Sequence, residues 1–150
     1  MATGAKIGKK TQFLREDTVG GGTYTQVAEV KSIGGPAKSR DAVEATSMDS
    51  ADDHAEYIAG IAEGGDVSLV LNFRPTHATH GTTSGLAKDF DEGTTRSWQI
   101  KWPQFSEGSP PTATFSGFLT GHEITSATRD LVTVAVKIKV TGKVALTNFA

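Results

Sequence analysis

Residues 27–50, VAEVKSIGGPAKSRDAVEATSMDS, decide how the first half of the chain folds. Residues 27–33 alternate β-branched and polar side chains, residues 34–36 are Gly-Gly-Pro, and an extended pattern resumes over residues 41–47. Two extended segments on either side of a glycine and proline break are typical of paired strands joined by a turn. The stretch therefore predicts a long hairpin or the corner of a sheet.

Strand-like alternation continues through the rest of the chain. Residues 66–74 place Val67, Leu69 and Leu71 on one face, which predicts a strand with one buried and one hydrated side. The same pattern predicts three further strands, over residues 96–102, 112–120 and 131–140. The chain is therefore expected to be mainly β, a β-sandwich or partly open barrel.

Two segments depart from strand periodicity. Residues 76–90 carry Ala78, Thr82, Leu86 and Phe90 at four-residue spacing, which predicts one flanking α-helix that docks through Leu86 and Phe90. Residues 50–65 fit either a short helix or a long projecting loop, because glycines interrupt their apolar stripe.

The N-terminal residues show neither helical nor strand periodicity and contain several glycines. We expect residues 1–22 to form a long arm and residues 23–150 to form a single β-sandwich domain. Phe13 is a large apolar side chain in this arm, so it is a candidate for packing against a partner subunit.

Composition excludes several classes of protein. The 150 residues contain no cysteine, so disulfides and thiolate metal sites are absent. No apolar run approaches the roughly 20 residues that span a bilayer, and the first residues lack the apolar core of a signal peptide. We therefore expect a soluble protein made without export. The net charge of −2 gives no case for a broadly basic nucleic-acid-binding surface.

Charge is nevertheless separated along the chain. Residues 1–15 hold Lys6, Lys9 and Lys10 without an acid, whereas residues 41–66 hold eight acids and no lysine or arginine. Solvated loops are the ordinary interpretation of this separation. The alternative is charge complementarity between neighbouring subunits, which would steer their association.

No constellation of residues indicates catalysis. His77 and His80 are spaced to share a metal on a helix, but an exposed pair is the simpler interpretation without a third ligand. Residues 52–56 depart from the calcium-loop pattern and lack signs of a cleft for paired carboxylates. Trp98 and Trp102 fit a core face better than a sugar-binding platform, and both interpretations hold in part if one indole lies at the rim of the sheet. We expect neither a cofactor, nor a metal, nor enzymatic activity.

The order of several short motifs resembles the major tail tube proteins of long-tailed bacteriophages. The motifs are VAEV at 27–30, SIGGP at 32–36, RDAVEAT at 40–46, YIAGIAEGGDVSLVLNF at 57–73 and VTGK at 140–143. The resemblance covers about residues 22–144 and implies the tail tube fold. It also implies a structural virion protein whose hexameric rings stack into a hollow tube, the conduit for genome ejection.

The resemblance further implies partners and a location. The partners are other copies of this chain, a tape measure protein, and tail terminator and initiator proteins; DNA only passes through the lumen, and no membrane is involved. The location is the virion tail, after assembly in the host cytoplasm. We expect an acidic or neutral lumen, because lysine and arginine contacts with phosphate would retard the DNA.

The charge pattern and the resemblance together define candidate assembly residues. They are Lys6, Lys9, Lys10, Phe13, Asp49, Asp52, Asp53, Glu56, Tyr57 and Ile58. Two alternatives remain at this point: a β-sandwich binding module for carbohydrate or virion decoration, and a tube protein of a contractile or type VI secretion apparatus.

Overall fold

The computed structural model describes residues 8–105 and 108–149. The strands are β1 (Gln12–Glu16), β2 (Tyr24–Gln26), β3 (Val30–Gly34), β4 (Ser39–Glu44), β5 (Tyr57–Glu63), β6 (Asp66–Asn72), β7 (Arg96–Lys101), β8 (Thr112–Thr125) and β9 (Thr133–Thr147), and the helix is α1 (Leu86–Glu92). A single 3-10 turn, Ala51–Asp53, lies between β4 and β5.

Seven strands form one antiparallel sheet in the order β2-β1-β7-β8-β9-β6-β3, and β4 and β5 form a separate two-stranded sheet. The larger sheet is open, because β2 and β3 at its two ends do not pair with each other. The expectation of a mainly β fold with one flanking helix is confirmed. The sheets are open and do not close into a barrel.

One face of the larger sheet forms the hydrophobic core. The alternation seen in the sequence places Val67, Leu69 and Leu71 of β6 inside, each at most 1% exposed. Strand β9 contributes Val136 and Ile138 in the same way. Because alternate residues of a strand point to opposite faces, the intervening lysines of β9 remain in solvent. Strands β6 and β9, which periodicity identified, therefore supply a large part of the core.

The predicted N-terminal arm is wrong in its middle part. Residues 12–16 form β1, an inner strand paired to β2 on one side and to β7 on the other. Phe13 is completely buried and stacks on Trp98, with 5.5 Å between ring centroids. Phe13 is part of the hydrophobic core, although a strand of five residues is too short to show a clear alternation of apolar and polar side chains. Phe13 thus belongs to the core of its own subunit and not to an assembly surface.

The pairing predicted for residues 27–50 is also wrong. Strand β3 pairs with β6, with Ile33 opposite Leu69, while β4 pairs with β5. Strand β4 is exposed along its whole length, so it offers no apolar face to cover a core strand such as β3. Gly35, at φ 97°, carries the chain from one sheet to the other, and a Cβ atom there would lie 2.5 Å from the Asp66 carbonyl oxygen. The glycines serve a crossover and not a hairpin turn.

Residues 57–63 form a strand, so a helix over residues 50–65 is wrong. Strands β4 and β5, with the loop between them, make a hairpin that we call the ribbon, residues 39–63. The projecting loop is therefore its connection, residues 45–56. One of the glycines that break the helical stripe is suited to the strand pairing. Gly60 lies under the side chain of Val43 across the ribbon, and a Cβ atom there would be 3.2 Å from Val43 Cγ2.

The helix is shorter than predicted. It spans seven residues and ends at Gly93, whose left-handed φ of 63° caps it. Residues 76–85 form turns instead, because glycine and threonine lower helix propensity there. Leu86 is buried as expected, but Phe90 is 41% exposed and the second buried residue of α1 is Asp89. Across the described residues, no helix has the length and apolar character needed to cross a bilayer.

Candidate functional site

The connection of the ribbon carries four of the predicted assembly residues, and we call residues 45–56 the acidic tip. The carboxylates of Asp49, Asp52, Asp53 and Glu56 all belong to exposed residues of this segment. No lysine or arginine lies between residues 41 and 66 to neutralise them. The tip therefore presents concentrated negative charge at the end of the ribbon.

Hydrogen bonds inside the acidic tip hold it in one conformation. The Ser50 hydroxyl donates to Glu56 Oε2 over 2.9 Å and accepts from the Ser47 amide, also over 2.9 Å. Asp52 and Asp53 adopt left-handed conformations with φ values of 60° and 52°. Aspartate tolerates this region better than most residues. The carboxylates are thus displayed by an ordered turn.

The ribbon is apolar on both of its faces. Register places Ile58 opposite Val43 on one face, and these side chains are 59% and 47% exposed. Tyr57 and Ile61 lie on the other face, because strand residues alternate, and they are 61% and 83% exposed. Tyr57 and Ile58 were predicted to contact partner subunits, and both are available to do so.

The predicted basic residues lie near the opposite end of the ribbon. Lys9 and Lys10 are exposed immediately before β1, whereas Lys6 lies outside the described residues. Lys9 and Lys10 line a cavity of about 600 Å³ together with Lys31 of β3. Three lysines from two separate segments therefore converge on one surface. Sequence spacing alone identified only the first two.

A second cavity, of about 620 Å³, adjoins the lysines, and we call it the aromatic cleft. Its lining includes Pro36, Lys38, Trp102, Phe105, Leu146 and Phe149. Trp102 meets Phe149 edge to face, with 5.8 Å between ring centroids. Trp102 and Gly35 line both cavities, so the cleft and the lysine surface are continuous. Sequence reasoning missed the cleft because its walls come from distant parts of the chain.

The two tryptophans occupy different environments. Trp98 is completely buried, and its Nε1–H donates to the carbonyl oxygen of Gly117 over 3.0 Å. Trp102 is only partly buried and forms a wall of the cleft. Trp98 therefore lies inside the core, whereas Trp102 packs against the core while one side of it forms the wall of the cleft.

A buried ion-pair cluster lies under the helix. Asp89 has no exposed surface and accepts hydrogen bonds from Arg15 Nε and Nη2, over 2.6 and 2.9 Å. Arg96 Nη2 lies 3.1 Å from the same carboxylate, and Arg96 Nη1 donates to the Glu16 carbonyl oxygen. The cluster ties α1 to β1 and β7. Its role is to hold the fold, and nothing in the spacing of its three residues reveals it in the sequence.

The two histidines lie close together but are held by other partners. Their ring centroids are 5.6 Å apart, His77 bonds to Thr79, and His80 Nε2 bonds to the Ala28 carbonyl oxygen over 2.6 Å. Within residues 8–105 and 108–149, no group of three histidine, aspartate or glutamate residues is placed to bind a metal. The expectation of an exposed pair is wrong for His80, which is 8% exposed, and the hydrogen bonds of both rings hold local structure.

His80 should make stability depend on pH. Burial lowers the pKa of His80 below its usual 6.5, and the hydrogen bond to Ala28 only partly opposes this effect. The unfolded chain then binds more protons than the folded chain just below pH 6.5, so stability should fall as the pH falls through that value. Urea unfolding at about pH 7.5 and about pH 5.5 would measure this loss.

Two variants serve as comparisons in this measurement. His80→Gln removes the titrating ring and should flatten the pH dependence, whereas His54→Gln in the exposed acidic tip should leave it unchanged. An equally steep pH dependence in His80→Gln would show that another group is responsible.

Solved structures share this fold. One, described as the tail of an empty gene transfer agent particle with C6 symmetry, matches 95% of this chain and 99% of its own at 18% identity and a TM-score of 0.74. The virion of the native gene transfer agent contains a similar chain, with 14% identity, the same coverage and a TM-score of 0.71. The SPP1 tail tube structure matches 93% of this chain and 77% of its own, at 10% identity and a TM-score of 0.67. The architecture is thus the tail tube fold.

The sequence itself identifies the family. The profile described as lambda phage tail tube protein, TTP, matches residues 13–147, which is most of the chain. The protein belongs to this family and is a structural tail tube protein of the virion tail. A search of curated proteins finds no match. The resemblance identified from short motifs is therefore confirmed.

Proposed function

We propose that copies of this chain associate into hexameric rings, and that the rings stack into the hollow tube of the tail. The solved structure with C6 symmetry that shares this fold supports six subunits per ring. A ring that closes and also repeats along an axis needs two different complementary surfaces on each subunit. The acidic tip and the surface of Lys9 and Lys10 are candidates, with Lys6 as a further candidate.

The ribbon is the observation that carries this proposal. A two-stranded hairpin is marginally stable by itself in water, and this one exposes apolar side chains on both faces. Exposed edges and apolar strands are liabilities unless a partner covers them. Neighbouring subunits would cover the faces that carry Ile58 and Tyr57. A binding module that works as a monomer would have no use for such a ribbon.

The remaining parts of the proposal follow from the tail tube role. The tube surrounds a tape measure protein, meets terminator and initiator proteins at its ends, and later conducts DNA. Assembly takes place in the host cytoplasm. The subunit has no enzymatic activity and needs no cofactor. Its lumen is neutral or acidic, because phosphate contacts with lysine or arginine would slow DNA transit.

Negative-stain electron microscopy of the purified chain over a concentration series tests the proposal. Rings or hollow filaments that become more abundant with concentration are the expected result. Compact monomers at every concentration, with or without added tail initiator complex, would contradict it and would favour a binding module that uses Trp102. The same images, averaged end-on, count the subunits in each ring.

Reversing or neutralising the charge of the acidic tip should weaken assembly. We expect Asp52→Lys with Asp53→Lys to raise the concentration needed for tubes by on the order of tenfold, because like charges would face the lysine surface. Lysine also fits the left-handed backbone at these positions poorly. Asp52→Asn with Asp53→Asn keeps that backbone and should shift assembly in the same direction by a smaller factor. Light scattering against protein concentration measures both shifts.

A matched control separates this effect from net charge. Glu123→Gln with Asp130→Asn removes two exposed acids elsewhere and should leave assembly unchanged. Added salt should weaken wild-type assembly, since screening reduces attraction between exposed charges. Normal tube formation by the double lysine variant would exclude the tip from the contact.

A further inference from the structure

We propose that the acidic tip of one subunit seats on the aromatic cleft of the next subunit, with Met48 inserted beside Trp102 and Phe149. This inference rests on the proposed self-assembly and names the two surfaces that meet. The occupant of the cleft is thus a second copy of this chain. The carboxylates of the tip face the lysines that border the cleft.

Met48 is the distinctive feature of the tip. Its side chain is as exposed as in an extended peptide, at 102%, while the tip around it carries four carboxylates. An apolar side chain in such a polar turn gains free energy when it leaves water. Methionine also adapts to irregular pockets, and its sulfur makes favourable contacts with aromatic rings.

The aromatic cleft is large enough and apolar enough to take this side chain. Its volume of about 620 Å³ exceeds that of one methionine side chain, so neighbouring tip residues can enter with it. Phe105, Leu146 and Phe149 are each between 43% and 56% exposed, which leaves apolar surface uncovered in the free subunit. The cleft is therefore an apolar surface that an apolar side chain of a partner can cover.

Charge complementarity selects the acidic tip as the insert. Lys38 lines the cleft itself, and Lys9, Lys10 and Lys31 line the cavity that continues from it past Trp102. The tip presents four carboxylates around Met48 and no lysine or arginine. One apolar contact ringed by opposite charges on the two partners fixes both affinity and register.

The geometry of the ribbon excludes contact within one subunit. Pro36 and Lys38 precede β4, so the cleft lies at the base of the ribbon, while the tip lies at its far end. Six residues of strand separate them by roughly 20 Å at about 3.3 Å per residue. The tip must therefore reach the cleft of another copy. Such a head-to-tail contact leaves a free tip at one end of the row of subunits and a free cleft at the other end, so it repeats.

Engineered disulfides test this contact directly, because the natural chain has no cysteine. One preparation carries Met48→Cys and another carries Leu146→Cys, a change that leaves the pair of Trp102 and Phe149 intact. Mixed under oxidising conditions at a concentration where the wild type assembles, they should form a linked dimer. The pair Met48→Cys with Leu131→Cys is the control, since Leu131 is 67% exposed but lies outside the cleft.

The contact predicts a large difference in crosslinking rate between the two mixtures. Bound partners hold two thiols at millimolar effective concentration, so the cleft pair should link on the order of a thousandfold faster than a control pair that meets at micromolar concentration. A chain with both Met48→Cys and Leu146→Cys should form a ladder of multimers. Equal rates in the two mixtures, or no linkage in the cleft pair, would overturn the contact.

A second variant tests the contact without cysteine. Met48→Ser should raise the concentration needed for assembly severalfold, while Leu131→Ser, a change at a similarly exposed site, should not. Microscopy of the same samples separates the two proposals. If the wild type forms tubes but the Met48→Cys and Leu146→Cys chains do not crosslink, only this contact is rejected. If the wild type never assembles, the proposed self-assembly is rejected as well.

Discussion

Replacing Asp89 with asparagine should lower the free energy of unfolding by about 3–5 kcal/mol, because it removes the charge shared by two buried guanidinium groups. Asparagine has nearly the same shape, so the loss would report charge and hydrogen bonding and not a cavity. Arg15 and Arg96 are each less than 10% exposed and would be left without their carboxylate. Urea unfolding below the assembly concentration measures the change.

Two comparisons make this result specific to the ion-pair cluster. Asp91→Asn changes an exposed acid of the same helix and should alter stability by less than about 0.5 kcal/mol. Asp89→Leu combined with Arg15→Met and Arg96→Met replaces the whole cluster with apolar side chains and should recover much of the lost stability. An Asp89→Asn protein as stable as the wild type would show that the cluster contributes little to folding.

Replacing Trp98 with alanine should cost a similar amount, about 3–5 kcal/mol. The indole packs on Phe13 in the core, so its removal would leave a cavity. The carbonyl oxygen of Gly117 would also lose the hydrogen bond from Trp98 Nε1. Thermal and urea unfolding of the variant measure this loss.

Trp102→Ala is the matched control for Trp98. Trp102 is partly exposed in the aromatic cleft, so its removal should cost only about 1 kcal/mol of stability. The same variant should impair assembly, because Trp102 forms a wall of the cleft. Equal destabilisation by the two alanine substitutions would contradict the assignment of Trp98 to the core and Trp102 to a surface.

The sequence predicted the elements whose pattern is local. Strands β6, β7 and β9 alternate cleanly because each has one face in the core and one in solvent, and the structure confirms all three, although β9 continues to Thr147 and not to residue 140. The order of short motifs was enough to identify the family. The sequence also predicted that the acidic residues are exposed, since consecutive acids without partners remain in water.

The features that the sequence missed depend on contacts between distant residues. Which strand pairs with β3 is decided by Leu69, some thirty-five positions after Ile33, and not by the Gly-Gly-Pro that follows. The partners of Asp89 come from β1 and β7, and the aromatic cleft joins residues near Pro36, Trp102 and Phe149. Strand β5 was missed because exposure on both faces erases the alternation that marks a strand.

The inner position of β1 has a consequence for the order in which the protein folds. One neighbour of β1 is β2, but the other is β7, which ends at Lys101. During synthesis the N-terminal strand emerges first, yet it cannot take its place until β7 has been made. Such non-local pairing slows folding and prolongs the exposure of apolar strands. Phe13 therefore cannot stack on Trp98 until β7 has been made.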